Sequence, residues 1–194
     1  MRAFTSSWVA AGLLLCCLGS FLWAMLNFFS RPARATNGMK VISACGIAFA
    51  SLHLGAILLV PRWIPARAII ADSFYICALG LFWWAILINY RQPLSAAFSP
   101  DIPVHLMQDG PYRFIRHPFY CSYLLTWAAG VVASGRISLL PTVAVMFIIY
   151  LRAARLEEEK FGNSLLGRRY QLYQARTGRF FPNPIKLMAA RGSR

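Results

Sequence analysis

Trp8-Val9-Ala10-Ala11-Gly12-Leu13-Leu14-Leu15-Cys16-Cys17-Leu18-Gly19-Ser20-Phe21-Leu22-Trp23-Ala24-Met25-Leu26-Asn27-Phe28-Phe29 runs for 22 residues without a charge. As a helix that run spans about 30 Å, the hydrocarbon thickness of a bilayer. A signal peptide is the competing reading, with Ala33-Arg34-Ala35 as a faint cleavage site. The run exceeds the usual apolar core of about 7–15 residues, and further runs follow it. They are Val41 to Val60 closed by Pro61, Ala68 to Asn89, and a hairpin of Phe119 to Ala133 and Ile137 to Leu151 turning at Ser134-Gly135-Arg136. The expectation is an all-α integral membrane protein of about five transmembrane helices, followed by a cytoplasmic C-terminal helical segment.

Composition agrees. Of 194 residues 58% are hydrophobic and 13% charged, against about 45–50% and 25% in soluble domains. That excludes intrinsic disorder. The cysteines Cys16, Cys17, Cys45, Cys77 and Cys121 lie in or beside apolar runs and read as small buried hydrophobes rather than a disulfide framework. Lys and Arg number 20 against 6 Asp and Glu, a formal +14. Beside such apolar runs, cytoplasmic loops facing anionic lipid explain that balance better than nucleic acid. With five spans and a cytoplasmic C-terminus, 16 basic residues fall inside and four (Arg2, Arg62, Arg67, Arg136) outside. The positive-inside rule therefore puts the N-terminus outside, the C-terminus in the cytoplasm and the polar chemistry on the cytoplasmic face. The chain divides into three N-terminal helices (1–90), a catalytic module (91–182) and a flexible basic tail (183–194).

Two cytoplasmic segments carry the candidate chemistry. In Asp109-Gly110-Pro111-Tyr112-Arg113-Phe114-Ile115-Arg116-His117-Pro118-Phe119-Tyr120, Gly110-Pro111 marks a turn. Pro118 suits the first position of a helix, which sets Arg116 and His117 at its positive end. In Arg152-Ala153-Ala154-Arg155-Leu156-Glu157-Glu158-Glu159-Lys160, three carboxylates gain nothing from a helix C-terminus, so a cation is expected against them. Arg155 can pair with Glu158 or Glu159 along the helix. Further on, Arg168, Arg169, Tyr170, Tyr173 and Phe180-Phe181 suit an amphipathic helix on the lipid surface.

The pair Gly110-Pro111-Tyr112…Arg116-His117-Pro118-Phe119-Tyr120 and Glu158-Glu159…Leu166-Gly167-x-x-Tyr170-x-x-Tyr173…Thr177-Gly178-Arg179-Phe180-x-Pro182 resembles the isoprenylcysteine carboxyl methyltransferase family, over roughly 106–182. Three positions depart from the family pattern: Ser122 stands for a small residue, often Gly; Ala154, between Arg152 and Arg155, for an Arg; and Leu94-Ser95 for a Trp-Ser pair. The resemblance implies a membrane methyltransferase that uses S-adenosylmethionine, with Tyr112, Arg116, His117, Pro118, Tyr120, Glu158 and Glu159 as cofactor contacts. Glu158, Arg155 and His117 take the catalytic roles. Chemistry points the same way. A zwitterion with an added sulfonium needs a cation for its carboxylate, Arg116 or His117, and acceptors for its ammonium and ribose, Glu158 among them. A lipophilic acceptor is implied, an isoprenylcysteine-like carboxylate first. A carboxylate needs no general base; an amine or thiol does, with His117 or Glu158 available.

Two other classes compete: an NADPH-dependent membrane reductase resembling the sterol reductases, and a non-enzymatic membrane scaffold. No G-x-G-x-x-G follows a strand, which excludes a soluble Rossmann-type methyltransferase. His53, His105 and His117 lack metal-ligand spacing, so no metal site is expected. His53, inside an apolar run, reads as a hydrogen-bonded interhelical histidine.

Overall fold

The computed structural model describes residues 2–30, 32, 34–59, 64–91, 94, 97–99 and 105–183, with side chains from Ser7 onward. Residues 184–194 of the basic tail, Ser95 of the Leu94-Ser95 pair, and Val60-Pro61 at the close of the second run lie outside the described residues. Six α-helices form: α1 Arg2–Asn27, α2 Asn37–Leu58, α3 Pro65–Asn89, α4 Pro118–Ser134, α5 Leu140–Gly162 and α6 Gly167–Arg176. Among the described residues there is no strand, only an isolated parallel bridge between Ile115 and Gly178. The all-helical class is therefore as expected.

Among the described residues, four helical stretches are long and apolar enough to cross a membrane: Ser7–Asn27, Asn37–Leu58, Pro65–Asn89 and Ile137–Gly162. α4, with 17 residues, is at the lower limit for a crossing. Its place in the bundle accounts for that length. α4 touches α1, α2, α3 and α5, and none of its residues from Pro118 to Ser134 is exposed. A helix apolar all round is an interior helix, so α4 meets neighbouring helices more than lipid.

Small residues bring these helices together. Ala10, Ala71, Ala78, Ala129 and Ala133 are buried around Leu14, Ile57 and Tyr75, the pattern that lets backbones approach where no hydrophobic drive separates helix from lipid. At Gly130 a Cβ would lie 2.1 Å from Nδ1 of His53, so α4 meets α2 through that ring. His53 Nε2 is 2.8 Å from Thr142 Oγ1, and the ring stands edge-on to Trp127. It is the interhelical histidine expected.

α5 extends past its apolar run to Gly162, in line with a helix that carries Arg155 and the glutamates, so the Glu157-Glu158-Glu159 triplet is helical and its side chains diverge. Two expectations change. Tyr170, Tyr173 and Phe180 are buried in the core and do not face lipid, leaving Leu165, Leu172 and Phe181 outward; α6 caps the bundle through its tyrosines. Of the cysteines, Cys17 is buried, while Cys16 and Cys77 are exposed and all five are free thiols. On a membrane helix an apolar side chain has no need to point inward.

Candidate active site

The loop between α3 and α4 is held from both sides. A 3-10 turn at Gly110–Arg113 buries Tyr112, whose hydroxyl accepts a hydrogen bond from Asn89 Nδ2 at 3.0 Å and whose carbonyl accepts one from Tyr173 at 2.7 Å. Residues 114–117 then run alongside 178–179. Gly178 N donates to Phe114 O (3.3 Å), Arg116 N to Gly178 O (2.9 Å) and His117 N to Arg179 O (3.1 Å). His117 caps α4 and Pro118 is its first residue, an arrangement that needs no N–H from Pro118.

Glu158 is the hub of the site. Its side chain is 6% exposed and accepts from Arg116 Nε at 3.0 Å, Arg179 Nε at 3.0 Å, Arg179 Nη2 at 2.6 Å and Gln174 Nε2 at 3.1 Å. His117 Nε2 stands 3.1 Å from the same carboxylate. A buried carboxylate is tolerable only when so paired. One side chain thereby joins the α4 entry loop, α5, α6 and the segment after α6. Arg116 also donates to Thr177 O through Nη1 at 2.5 Å.

Glu157 turns the other way. It accepts from the Tyr120 hydroxyl and lies 3.5 Å from His117 Nδ1. His117 thus has a carboxylate at each ring nitrogen. Burial alone would lower its pKa, but the two glutamates outweigh burial and raise it, so the imidazolium is favoured. Burial also pushes the hydroxyls of Tyr170 and Tyr173 upward, which keeps them protonated donors. His117 stacks on Tyr120, and Tyr120 on Tyr150 with centroids 5.3 Å apart.

These groups border a cavity of about 550 Å³. Its polar end is formed by Tyr112, Arg116, His117, Glu157, Lys160 and Tyr170, its apolar end by Leu18, Phe21, Leu22, Ile47, Trp127 and Met146. Leu22 is 60% and Ile47 72% exposed. Residues that both line a cavity and face outward mark its openings: Leu22 and Ile47 mark a mouth between α1 and α2 on the apolar belt, and His105 marks an opening in the loop before α4.

Of the residues singled out from sequence, Tyr112, Arg116, His117, Pro118 and Tyr120 line this cavity. Glu158 lies behind Arg116 and His117. Glu159 and Arg155 are exposed on α5, as is Arg152, and the structure does not bring them to the cavity. Helix geometry is the reason: at about 100° per residue, three successive glutamates cannot share a face. The cations at Glu158 are Arg116 and Arg179, not Arg155. Sequence reading missed Gln174 and Asn89. Glu157, Lys160 and Arg179 stood inside quoted segments without a role in the site.

The sequence profile of the phospholipid methyltransferase family matches residues 66–169, more than half of the chain. The chain belongs to that family. It is a family of membrane methyltransferases related to the isoprenylcysteine carboxyl methyltransferases, and the match spans α3, the loop, α4 and the whole of α5. No curated protein matches the chain. As a member of the phospholipid methyltransferase family the protein is a membrane methyltransferase, which sets aside the reductase and scaffold readings. Methyltransferases of this kind generally use S-adenosylmethionine. The wall fits such a group: Arg116 and Lys160 offer charge to a carboxylate, Glu157 offers acceptors to an ammonium, and the tyrosines flank the space between.

Proposed function

We propose that the protein transfers a methyl group from S-adenosylmethionine to the polar end of a lipophilic acceptor held in this cavity. One observation carries the reading: a single cavity joins a charged, tyrosine-walled end to an apolar end whose mouth faces lipid. Arg116, His117, Tyr112, Tyr120 and Glu157 are the residues we assign to holding the cofactor, with Glu158 fixing Arg116 and His117 from behind. Bound there, the cofactor supplies a sulfonium methyl with a thioether as leaving group. The chain's part is to align acceptor and methyl and to exclude water, which is where an in-line displacement gains most.

The acceptor is read from the wall. A head-group ammonium must lose a proton before its nitrogen can attack the sulfonium methyl, and Glu157, half-buried between Tyr120 and His117, is placed to receive it. That favours the amine of a phospholipid head group. An isoprenylcysteine-like carboxylate, first choice on the motifs, is the second reading; Lys160 on the same wall is the observation that favours it.

The test is equilibrium binding of S-adenosylmethionine and of NADPH to the detergent-purified protein, then transfer of labelled methyl to dioleoylphosphatidylethanolamine and to a farnesylcysteine analogue. Saturable S-adenosylmethionine binding, lost in Glu158→Gln, with label in the phospholipid is the expected result. Binding of NADPH alone would overturn it.

A further inference from the structure

Among the described residues, Lys160 is a cation on the cavity wall that has no carboxylate within ion-pair distance. Arg116 has Glu158 at 3.0 Å, a carboxylate it shares with Arg179. His117 lies between Glu157 and Glu158. Lys160, one turn beyond Glu157 on α5, lines the same cavity, and no carboxylate pairs with it among the described residues. Its ammonium donates to the backbone carbonyl of Ser99. That carbonyl takes one of three N–H donors and cancels no charge. The last turn of α5 favours a cation, by about the same amount on any side of the helix. What needs explaining is that this one is partly buried and turned into the cavity, where an unmatched charge is costly.

We propose that Lys160 is the counter-charge for an anionic group of a bound ligand. This inference rests on the methyltransferase reading above, which supplies two sources of such a group: the phosphate or carboxylate of the acceptor, and the carboxylate of S-adenosylmethionine. Glu157 and Lys160 sit three residues apart on one face of α5, about 5–6 Å between Cβ atoms. A ligand end bearing a cationic nitrogen and an anion a few bonds away meets both. Either source satisfies that pattern.

The experiment compares wild type, Lys160→Gln and Lys160→Arg by equilibrium binding with three probes. These are S-adenosylmethionine, dioleoylphosphatidylethanolamine, and oleylamine, which has a chain and a nitrogen but no anion. In Lys160→Gln one anionic probe should lose about tenfold or more in affinity, while oleylamine stays within about twofold. Lys160→Arg should restore most of the loss. Loss confined to S-adenosylmethionine assigns the site to the cofactor's carboxylate, and loss confined to the phospholipid assigns it to the acceptor's anion. Unchanged affinity for both anionic probes, or an equal loss for oleylamine, overturns the proposal. Melting temperatures of the three proteins report whether the variants fold. If the wild type itself failed to bind S-adenosylmethionine, the methyltransferase reading would fall, while the contrast between the two lipid probes would still test Lys160.

Discussion

At the scale of single residues, His117 makes the cluster pH-dependent in a definite direction. Its pKa is raised above the ordinary histidine value, since two glutamates outweigh burial. An unfolded histidine titrates near about 6.5. The stabilisation is therefore full below that pH and is lost as pH rises through the folded-state value, at up to about 1.4 kcal/mol per pH unit. The melting temperature of wild type should exceed that of His117→Gln at pH 6 and approach it at pH 9; a constant difference would mean that the ring is neutral throughout. The adjacent glutamates separate as sharply. Glu158→Gln leaves Arg116 and Arg179 without their carboxylate and should cost about 3–5 kcal/mol, whereas the exposed Glu159 should change stability by less than about 0.5 kcal/mol when made Gln. Thermal melts of the two variants in one detergent distinguish them. Arg116, His117 and Glu158 were singled out by residue type together with the resemblance to methyltransferase motifs, since a carboxylate triplet at a helix end demands cations. Which cations answered was not legible: Arg179 reaches Glu158 only after α6 has reversed the chain.

At the scale of elements, the segment after α6 acts as a strap across the α4 entry loop. Three backbone hydrogen bonds tie 114–117 to 178–179, and Phe180 is buried among Tyr120, Tyr150 and Met146. Gly178 is where the strap closes: a Cβ there would lie 1.7 Å from the Phe181 carbonyl oxygen, an atom that cannot rotate aside. Gly178→Ala should therefore cost roughly 1–3 kcal/mol. It should also weaken S-adenosylmethionine binding, since the strap positions Arg116 and His117; a stable variant with intact binding would show the strap to be dispensable. Elements built from local periodicity were readable in advance, and α1, α2 and α3 lie close to where the apolar runs put them. The strap was not, because a bridge between residues 63 apart leaves no local pattern. The extension of α5 was legible in part: hydrophobicity stops at Leu151, but the spacing of Arg155 and the glutamates is helical, and the helix continues to Gly162.

At the scale of the whole molecule, the positions of charge and of the cavity mouth set how the protein sits and loads. Counted over five spans, the 16:4 division of basic residues predicts that α6 and the polar cavity end lie on the cytoplasmic side. A cysteine at Leu165, which is fully exposed, should accordingly react with an impermeant thiol reagent only from that side, in a background with its own exposed cysteines replaced. The mouth between α1 and α2 makes the stronger demand. An acceptor with long chains cannot cross the charged end of the cavity without stripping water from Arg116 and Glu157, whereas it meets only Leu22, Ile47 and their neighbours when it enters from lipid. Ile47→Trp, alone or with Leu22→Trp, adds bulk at that opening and touches none of the cluster around Glu158. The KM for dioleoylphosphatidylethanolamine should rise about tenfold or more, a loss of about 1.4 kcal/mol, while the affinity for S-adenosylmethionine stays within twofold. If the KM stayed unchanged, entry from the cytoplasmic surface would be the better account. If both affinities fell together, the substitution would have disturbed the bundle rather than its opening. The two ligands would then approach from different solvents, the cofactor from water and the acceptor from lipid, which a cavity with one charged and one apolar end allows without either passing the other.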